Sequence, residues 1–226
     1  MTIKVIVTDI EGTTSSIDFV HEVLFPYASR QLPEFVRDSQ SEPEVAAILD
    51  AVRSEAHEAD ADIERVIAIL LQWIDEDRKV TPLKSLQGLI WKHGYESGGF
   101  TGHMYEDATR KLREWSAAGI DLYVYSSGSV GAQQLLFGHS DDGDLRELFR
   151  GYFDTEVGHK RDADSYTIIA DKIGIAAKKI LFLSDVAEEL DAAAAAGMQT
   201  CQLVRDDKVV PGKHSIVQDF DEVLLD

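Results

Sequence analysis

Cysteine is almost absent from these 226 residues. Cys201 stands alone, inside the apolar segment Met198–Val204. A single thiol forms no internal disulfide, so a reducing compartment and a core-filling role are expected. Nothing beside it in the sequence supplies the His or helix N-terminus that a catalytic thiol needs. Long apolar runs are also missing, and no stretch reaches the roughly 20 residues of a membrane span. The first strand begins by Ile3, which leads us to expect no signal peptide. Positive charge is scarce: 22 Lys and Arg stand against 41 Asp and Glu, a formal charge of −19. That balance excludes a nucleic-acid surface, which must meet phosphates with cations, and an anionic membrane surface. No internal repeat occurs, and the alanine run 192–196 is simply good helix.

What the chain does have is a set of apolar runs that end in polar clusters. Ile3–Thr8 runs into Asp9-Ile10-Glu11-Gly12-Thr13-Thr14. Asp121–Tyr125 ends in Ser126-Ser127-Gly128-Ser129, and Ile180–Leu183 ends in Ser184-Asp185, with Glu188 and Glu189 behind. Such runs read as buried strands, and ligands of open α/β sheets bind at the carboxyl ends of strands. Residues 104–204 alternate helix and strand. Glu106–Ala118, Ala163–Ile173 and Val186–Ala196 each stop at a glycine, Gly119, Gly174 and Gly197. The expectation is a doubly wound parallel sheet with helices on both faces.

Residues 17–100 contain no convincing strand. Phe19–Val36 is apolar at helical spacing, with Pro26 and Pro33 expected to kink or split it. Ser41-Glu42-Pro43-Glu44 reads as a capping box for a helix running to about Glu58. Asp62 is placed to cap Ile63–Asp77, and Thr81-Pro82 to open another helix. We therefore divide the chain into an α/β core, 1–17 and 103–226, and an all-helical cap, 18–102. The competing division makes the helices a layer of one compact domain.

The residue types suit phosphoryl transfer. A carboxylate such as Asp9 can attack phosphorus and split one displacement into two. Ser126 and Ser127, ahead of the helical pattern Ser129–Phe137, offer hydroxyls and N–H groups to an anion, or simply cap a helix. In Gly158-His159-Lys160-Arg161 either basic residue could neutralise phosphoryl charge, and spacing does not choose between them. Glu188 and Glu189 could hold the waters of a bound metal ion or pair with Lys160, or equally form a favourable acidic first turn.

Taken in order, Asp-x-Glu, Ser-Ser-Gly, Lys and Ser-Asp-x-x-Glu-Glu resemble the haloacid dehalogenase superfamily over residues 3–204. The resemblance implies Asp9 as nucleophile and metal ligand, Ser126 and Ser127 as phosphate ligands and Lys160 as the cation. It also implies Asp185 as second carboxylate ligand of one Mg²⁺ per chain. Glu11 departs from the commoner pattern, which has Asp there as general acid and base. Its carbonyl would still coordinate the metal and its carboxyl could protonate a leaving group. Ile6–Thr14, Leu86–Trp91 and Tyr123–Gly138 are similar to the enolase-phosphatases of methionine salvage. Those are magnesium-dependent cytoplasmic monomers with a helical cap. They enolise a 2,3-diketo-5-methylthiopentyl 1-phosphate and then dephosphorylate it to an acireductone. The competing function is a phosphatase for another small ester, such as a sugar phosphate. Glu11, Lys84 and Glu96 are candidate bases for enolisation. Trp91, Tyr95 and Phe100 either line a pocket for the methylthio tail or, as helical spacing favours, form cap core.

Overall fold

A computed structural model describes residues 2–225. The chain opens on β1 (Val5–Thr8), all four residues buried, and leaves it through the loop 9–16. A short turn α1 (Ile17–Phe19) and a π-helical turn, Val20–Leu24, follow. The wide turn is closed by the Phe25 N–H donating to the Val20 carbonyl, just ahead of Pro26. Four helices come next: α2 (Phe25–Ser39), α3 (Pro43–Glu55), α4 (Ile63–Asp75) and α5 (Thr81–Glu96). The remainder is α6 (Glu106–Ala117), β2 (Asp121–Tyr125), α7 (Val130–Gly138), β3 (Phe149–Phe153), α8 (Ala163–Ile173), β4 (Ile180–Ser184), α9 (Ala187–Ala195), β5 (Gln199–Leu203) and β6 (Ser215–Val217). Two compact units result, 1–17 with 101–226, and 18–100.

The first unit is a six-stranded parallel sheet in the order β3-β2-β1-β4-β5-β6. β1 is central because its residues are apolar on both faces, which only a strand covered on both sides tolerates. Val5 and Val7 pack with Tyr166, Ile169, Phe182 and Leu190. From β1 the chain builds outward to β2 and β3 on one side and to β4, β5 and β6 on the other. That reversal is the topological switch point at which open α/β sheets bind ligands. Register brings the site residues level: Thr8 pairs with Val124 on one side and Leu183 on the other. Asp9, Ser126 and Asp185 follow within one or two residues of those partners.

The second unit is a helical bundle. Its core joins Ala28, Leu32 and Val36 of α2 to Val45, Leu49 and Val52 of α3, Val66, Leu70 and Trp73 of α4, and Leu83, Leu86 and Ile90 of α5. Asp62 caps α4, accepting from the Arg65 N–H at 2.8 Å. The expected capping box at 41–44 does not form. Pro43 occupies the first helical position and holds Glu42 extended at φ −70°, ψ 132°, so Glu42 is the cap residue and Ser41 falls outside. Pro33 does not split α2: the buried stripe Ala28, Leu32 and Val36 runs straight past it. Proline there forgoes one backbone hydrogen bond, and the stripe's burial outweighs it. Trp91 packs against this core and its indole N–H donates to the Leu24 carbonyl at 2.8 Å. Phe100 rests edge-on against Tyr27 and Tyr95, ring centroids 4.8 and 4.5 Å apart. Cys201 is buried in β5, and burial together with Glu222 pushes its thiol up to about 11. Among the described residues no helix is long and apolar enough to cross a membrane.

Candidate active site

Asp9 lies one residue beyond β1, 3% exposed, with its N–H donating to the Leu183 carbonyl at 2.9 Å. The chain then folds back on itself. The N–H groups of Thr13, Thr14 and Ser15 all donate to the Ile10 carbonyl, and Gly12 N–H donates to the Ser15 carbonyl. Gly12 has φ +74°, a conformation that costs other L-residues about 1–2 kcal/mol. It is also the only residue type that leaves room for its neighbour. A Cβ there would collide with the Asp185 carboxylate. Thr14 Oγ1 donates to the Asp9 carbonyl at 3.3 Å, and Thr13 Oγ1 accepts from the Asp185 N–H at 3.1 Å. The two threonines therefore serve the loop.

Lys160 arrives from the 154–162 loop and is 6% exposed. Its ammonium donates to Asp9 Oδ1 at 2.5 Å and pairs with Glu189 Oε2 at 2.7 Å. The Lys160 carbonyl accepts from the buried Tyr166 hydroxyl at 2.7 Å, and the Gly158 carbonyl from the Tyr125 hydroxyl at 3.0 Å. Tyr125 from the end of β2 and Tyr166 from the first turns of α8 thus aim the loop. Arg161, the competing cation, is exposed. His159 Nδ1 accepts only locally, from the Arg161 N–H at 3.2 Å. Glu189 is held by Ser184 Oγ at 3.0 Å, whereas Glu188 points to solvent. Two carboxyl groups and one ammonium are thus buried together. Burial opposes charge on Lys160, but Asp9 and Glu189 more than reverse this and hold it protonated. Burial and the Asp9 charge push the Glu189 carboxyl up, beyond what Lys160 offsets.

Ser126 is buried at the end of β2. It donates to Glu11 Oε2 at 3.2 Å and accepts from the Gly128 N–H at 3.1 Å. Burial first, then the Asp9 charge, raise the Glu11 carboxyl, the condition a general acid requires. Ser127 is exposed on the same turn. Ser129 is the cap of α7, its Oγ accepting from the Ala132 N–H. Asp154, after β3, accepts from the Val130 N–H at 3.0 Å and braces the turn from the other side.

Asp185 follows β4. Burial and then Asp9 push its carboxyl up to about 7. Its buried Oδ1 has no hydrogen-bond partner among the described residues, which is costly unless a cation answers it. Among the described residues no three His, Cys, Asp or Glu side chains gather into a metal-holding group. A metal here would therefore take two carboxylates, Asp9 and Asp185, and fill its shell with carbonyl, water and substrate oxygens. That donor set is hard oxygen throughout and suits Mg²⁺, which keeps several waters.

The structure brings together Asp9, Glu11, Ser126, Lys160 and Asp185 in one unit, with Ser127 at the rim. Sequence reasoning missed Arg205 and Asp107. Arg205 lies two residues past β5, so the same carboxyl-edge rule that found the others would have marked it. It also did not read β3, which supplies Asp154.

A family model for haloacid dehalogenase-like hydrolases matches residues 3–197. Enolase-phosphatase E1 of Pseudomonas aeruginosa (strain LESB58) is 61% identical over 226 residues, covering all of both chains. The enzyme of that name from Pectobacterium carotovorum subsp. carotovorum (strain PC1) is 58% identical over 223 residues, 99% of this chain and 97% of the other. Among solved structures, the UTR4 protein of Saccharomyces cerevisiae superposes with a TM-score of 0.83 at 35% identity, over 98% of this chain and 100% of its own. With a parallel sheet, a carboxylate–lysine site at its switch point and full-length relatives of one name, the chain belongs to the haloacid dehalogenase-like hydrolases, in the enolase-phosphatase E1 family.

Proposed function

We propose that this protein is a bifunctional enolase-phosphatase. It converts 5-methylthio-2,3-dioxopentyl phosphate to its enol phosphate, then to the acireductone 1,2-dihydroxy-5-methylthiopent-1-en-3-one and inorganic phosphate, in methionine salvage. The observation that carries this reading is the full-length identity to enzymes named Enolase-phosphatase E1. The site geometry supports the phosphoryl-transfer half independently.

In that half, the Asp9 carboxylate attacks phosphorus and the ester P–O bond breaks, leaving an aspartyl-phosphate. Glu11, buried and raised, gives its proton to the departing oxygen. Its carboxylate then takes a proton from the water that hydrolyses the acyl phosphate, which restores both groups. Lys160, already pressed on Asp9, offsets charge on the phosphoryl oxygens without reorganising. Ser126 and Ser127 bind those oxygens. Mg²⁺, held by Asp9, the Glu11 carbonyl and Asp185, would supply Lewis acidity toward phosphoryl and carbonyl oxygens. The orphaned Asp185 Oδ1 and the space left by Gly12 support that ligand set. In the first half, a base takes the C–H proton beside the diketone, and the carbonyl oxygen takes a proton from water to become the enol hydroxyl. Glu11 is our candidate base. Lys84 and Glu96 belong to the helical unit and are both exposed. That unit is spliced into the chain directly after the Asp9–Glu11 loop, and we read it as the cap. A cytoplasmic monomer is the setting this reading implies.

Asp9→Asn tests it. The amide is a poor nucleophile but still offers its oxygen to Mg²⁺, more weakly, so at saturating metal enolisation should persist at a reduced rate. With Mg²⁺ and the diketo phosphate, enol absorbance should appear while phosphate release falls to background. Release near the wild-type rate removes Asp9 as nucleophile. Faster turnover of sugar phosphates than of the diketo phosphate by the unmodified enzyme removes the substrate assignment.

A further inference from the structure

One charged cluster in the α/β unit takes no part in the chemistry above. Arg205 is nearly buried, its side chain 10% exposed, and all three faces of its guanidinium fork are engaged. Nε donates to the Thr13 carbonyl at 2.9 Å. The other two nitrogens grip Asp107, Nη1 to Oδ1 at 3.1 Å and Nη2 to Oδ2 at 2.9 Å. The guanidinium carbon lies 3.9 Å from the centroid of the Tyr105 ring. Asp107 Oδ2 also accepts from the Phe220 N–H at 2.8 Å, and the Tyr105 N–H donates to the Thr14 carbonyl at 3.0 Å. Burial works against charge on Asp107, yet Arg205 and the Phe220 N–H hold its carboxyl below the usual range.

Thr13 is the hub of this arrangement. Its carbonyl faces Arg205, while its hydroxyl oxygen accepts the Asp185 N–H. The residue before it, Gly12, leaves the gap that the Asp185 carboxylate fills. A shift of the Thr13 peptide therefore moves both the backbone anchor of Asp185 and the wall against which its carboxylate rests. Asp107 neutralises the guanidinium locally, so Arg205 acts on Asp185 by geometry and not by its charge. Lysine cannot replace it, because one ammonium does not reach a carbonyl and two carboxylate oxygens in a fixed plane.

We infer that Arg205 is a positioning residue for metal binding: through Thr13 it fixes the loop that receives Asp185, and so sets the geometry of a ligand it never touches. The inference rests on the reading of Asp185 as a metal ligand. Groups that orient metal ligands typically change affinity by about 10- to 100-fold when lost. The test is titration of the full-length protein with MgCl₂ by calorimetry, for the unmodified chain, Arg205→Lys, Arg205→Gln and Asp185→Ala. Circular dichroism first confirms that each is folded at the assay temperature. Both Arg205 variants should weaken Mg²⁺ binding about 10- to 100-fold. In turnover assays kcat should climb toward wild type as Mg²⁺ is raised, with KM for the phosphate substrate little changed. If neither Arg205 variant folds, Asp107→Asn releases the fork while keeping the guanidinium, and the same weakening is expected. A folded variant that melts earlier yet binds Mg²⁺ within about twofold of wild type overturns the inference, for Arg205 is then only structural. Weak binding in Asp185→Ala alongside unchanged Arg205 variants overturns this inference alone. Unchanged binding in Asp185→Ala overturns the ligand reading and this inference with it.

Discussion

Replacing Lys160 separates two things that its ammonium does at once. It neutralises Asp9 and Glu189 at 2.5 and 2.7 Å in a site where all three side chains are nearly buried. In metal-free protein, Lys160→Ala leaves the two carboxyl groups without a cation. Removing one partner of a buried charge pair costs about 3–5 kcal/mol. For a chain of this size that corresponds to a fall in melting temperature of about 6–20 °C. It also removes a preorganised positive charge from the phosphoryl group, a loss worth about 10²–10³ in rate. The double variant Lys160→Ala/Glu189→Gln removes the orphaned like charge but adds no cation. It should recover much of the melting temperature and none of the rate. The assay is phosphate release at saturating Mg²⁺ beside thermal melts of the same variants without metal, with exposed Arg161→Ala as the control that changes neither by much. Recovery of rate in the double variant would refute the argument, because the loss in the single variant would then have been structural. A larger loss in Arg161→Ala than in Lys160→Ala would show that the wrong cation was chosen.

The remaining predictions concern the loop and the metal. The Asp185 carboxyl is raised to about 7 without metal, so the folded chain holds its proton more tightly than the unfolded one. The stability this contributes is full below about pH 4 and is lost as pH rises through 7. Melts of metal-free protein should therefore decline across that window, and Asp185→Asn should flatten that part of the profile. Because protons compete for the same oxygen, Mg²⁺ affinity should fall as pH drops below 7, and a pH-independent affinity would remove Asp185 from the ligand set. Gly12→Ala places a methyl where Asp185 Oδ2 lies. A misplacement of that carboxylate by about 1 Å should cost about 10²-fold in phosphate release, with weaker Mg²⁺ binding by calorimetry. Glu11→Gln keeps the hydrogen bond from Ser126 but cannot cycle a proton, and should lower phosphate release about 10²–10⁴-fold. Retention of wild-type rate would assign the acid role elsewhere.

Much of this was legible because short-range chemistry marks it. Strands β1, β2 and β4 announce themselves as apolar runs ending in Asp9, Ser126 and Asp185, and the carboxyl-edge rule then puts those ends on one side of a sheet. Helix stops at Gly119, Gly174 and Gly197 are local backbone events that the sequence carries directly. Other features had no local mark. β3, Phe149–Phe153, mixes exposed Arg150 and half-buried Gly151 into its pattern because it is an edge strand, and β6 has only three residues. The capping box at 41–44 failed because the proline inside it set the helix start. Whether Lys160 or Arg161 faces the carboxylates was decided by where the 154–162 loop is pinned, by Tyr125 of β2 and Tyr166 of α8. The raised Asp185 and Glu189 carboxyls depend on burial and on neighbours far away in the chain. So does the path from Arg205 through Thr13 to Asp185, which links residues 13, 107, 185 and 205. Residue type and spacing by themselves determined which groups reach the sheet edge. Only the tertiary structure decided which of them meet and which charge each one feels, because that depends on strand order, on register and on exclusion from water.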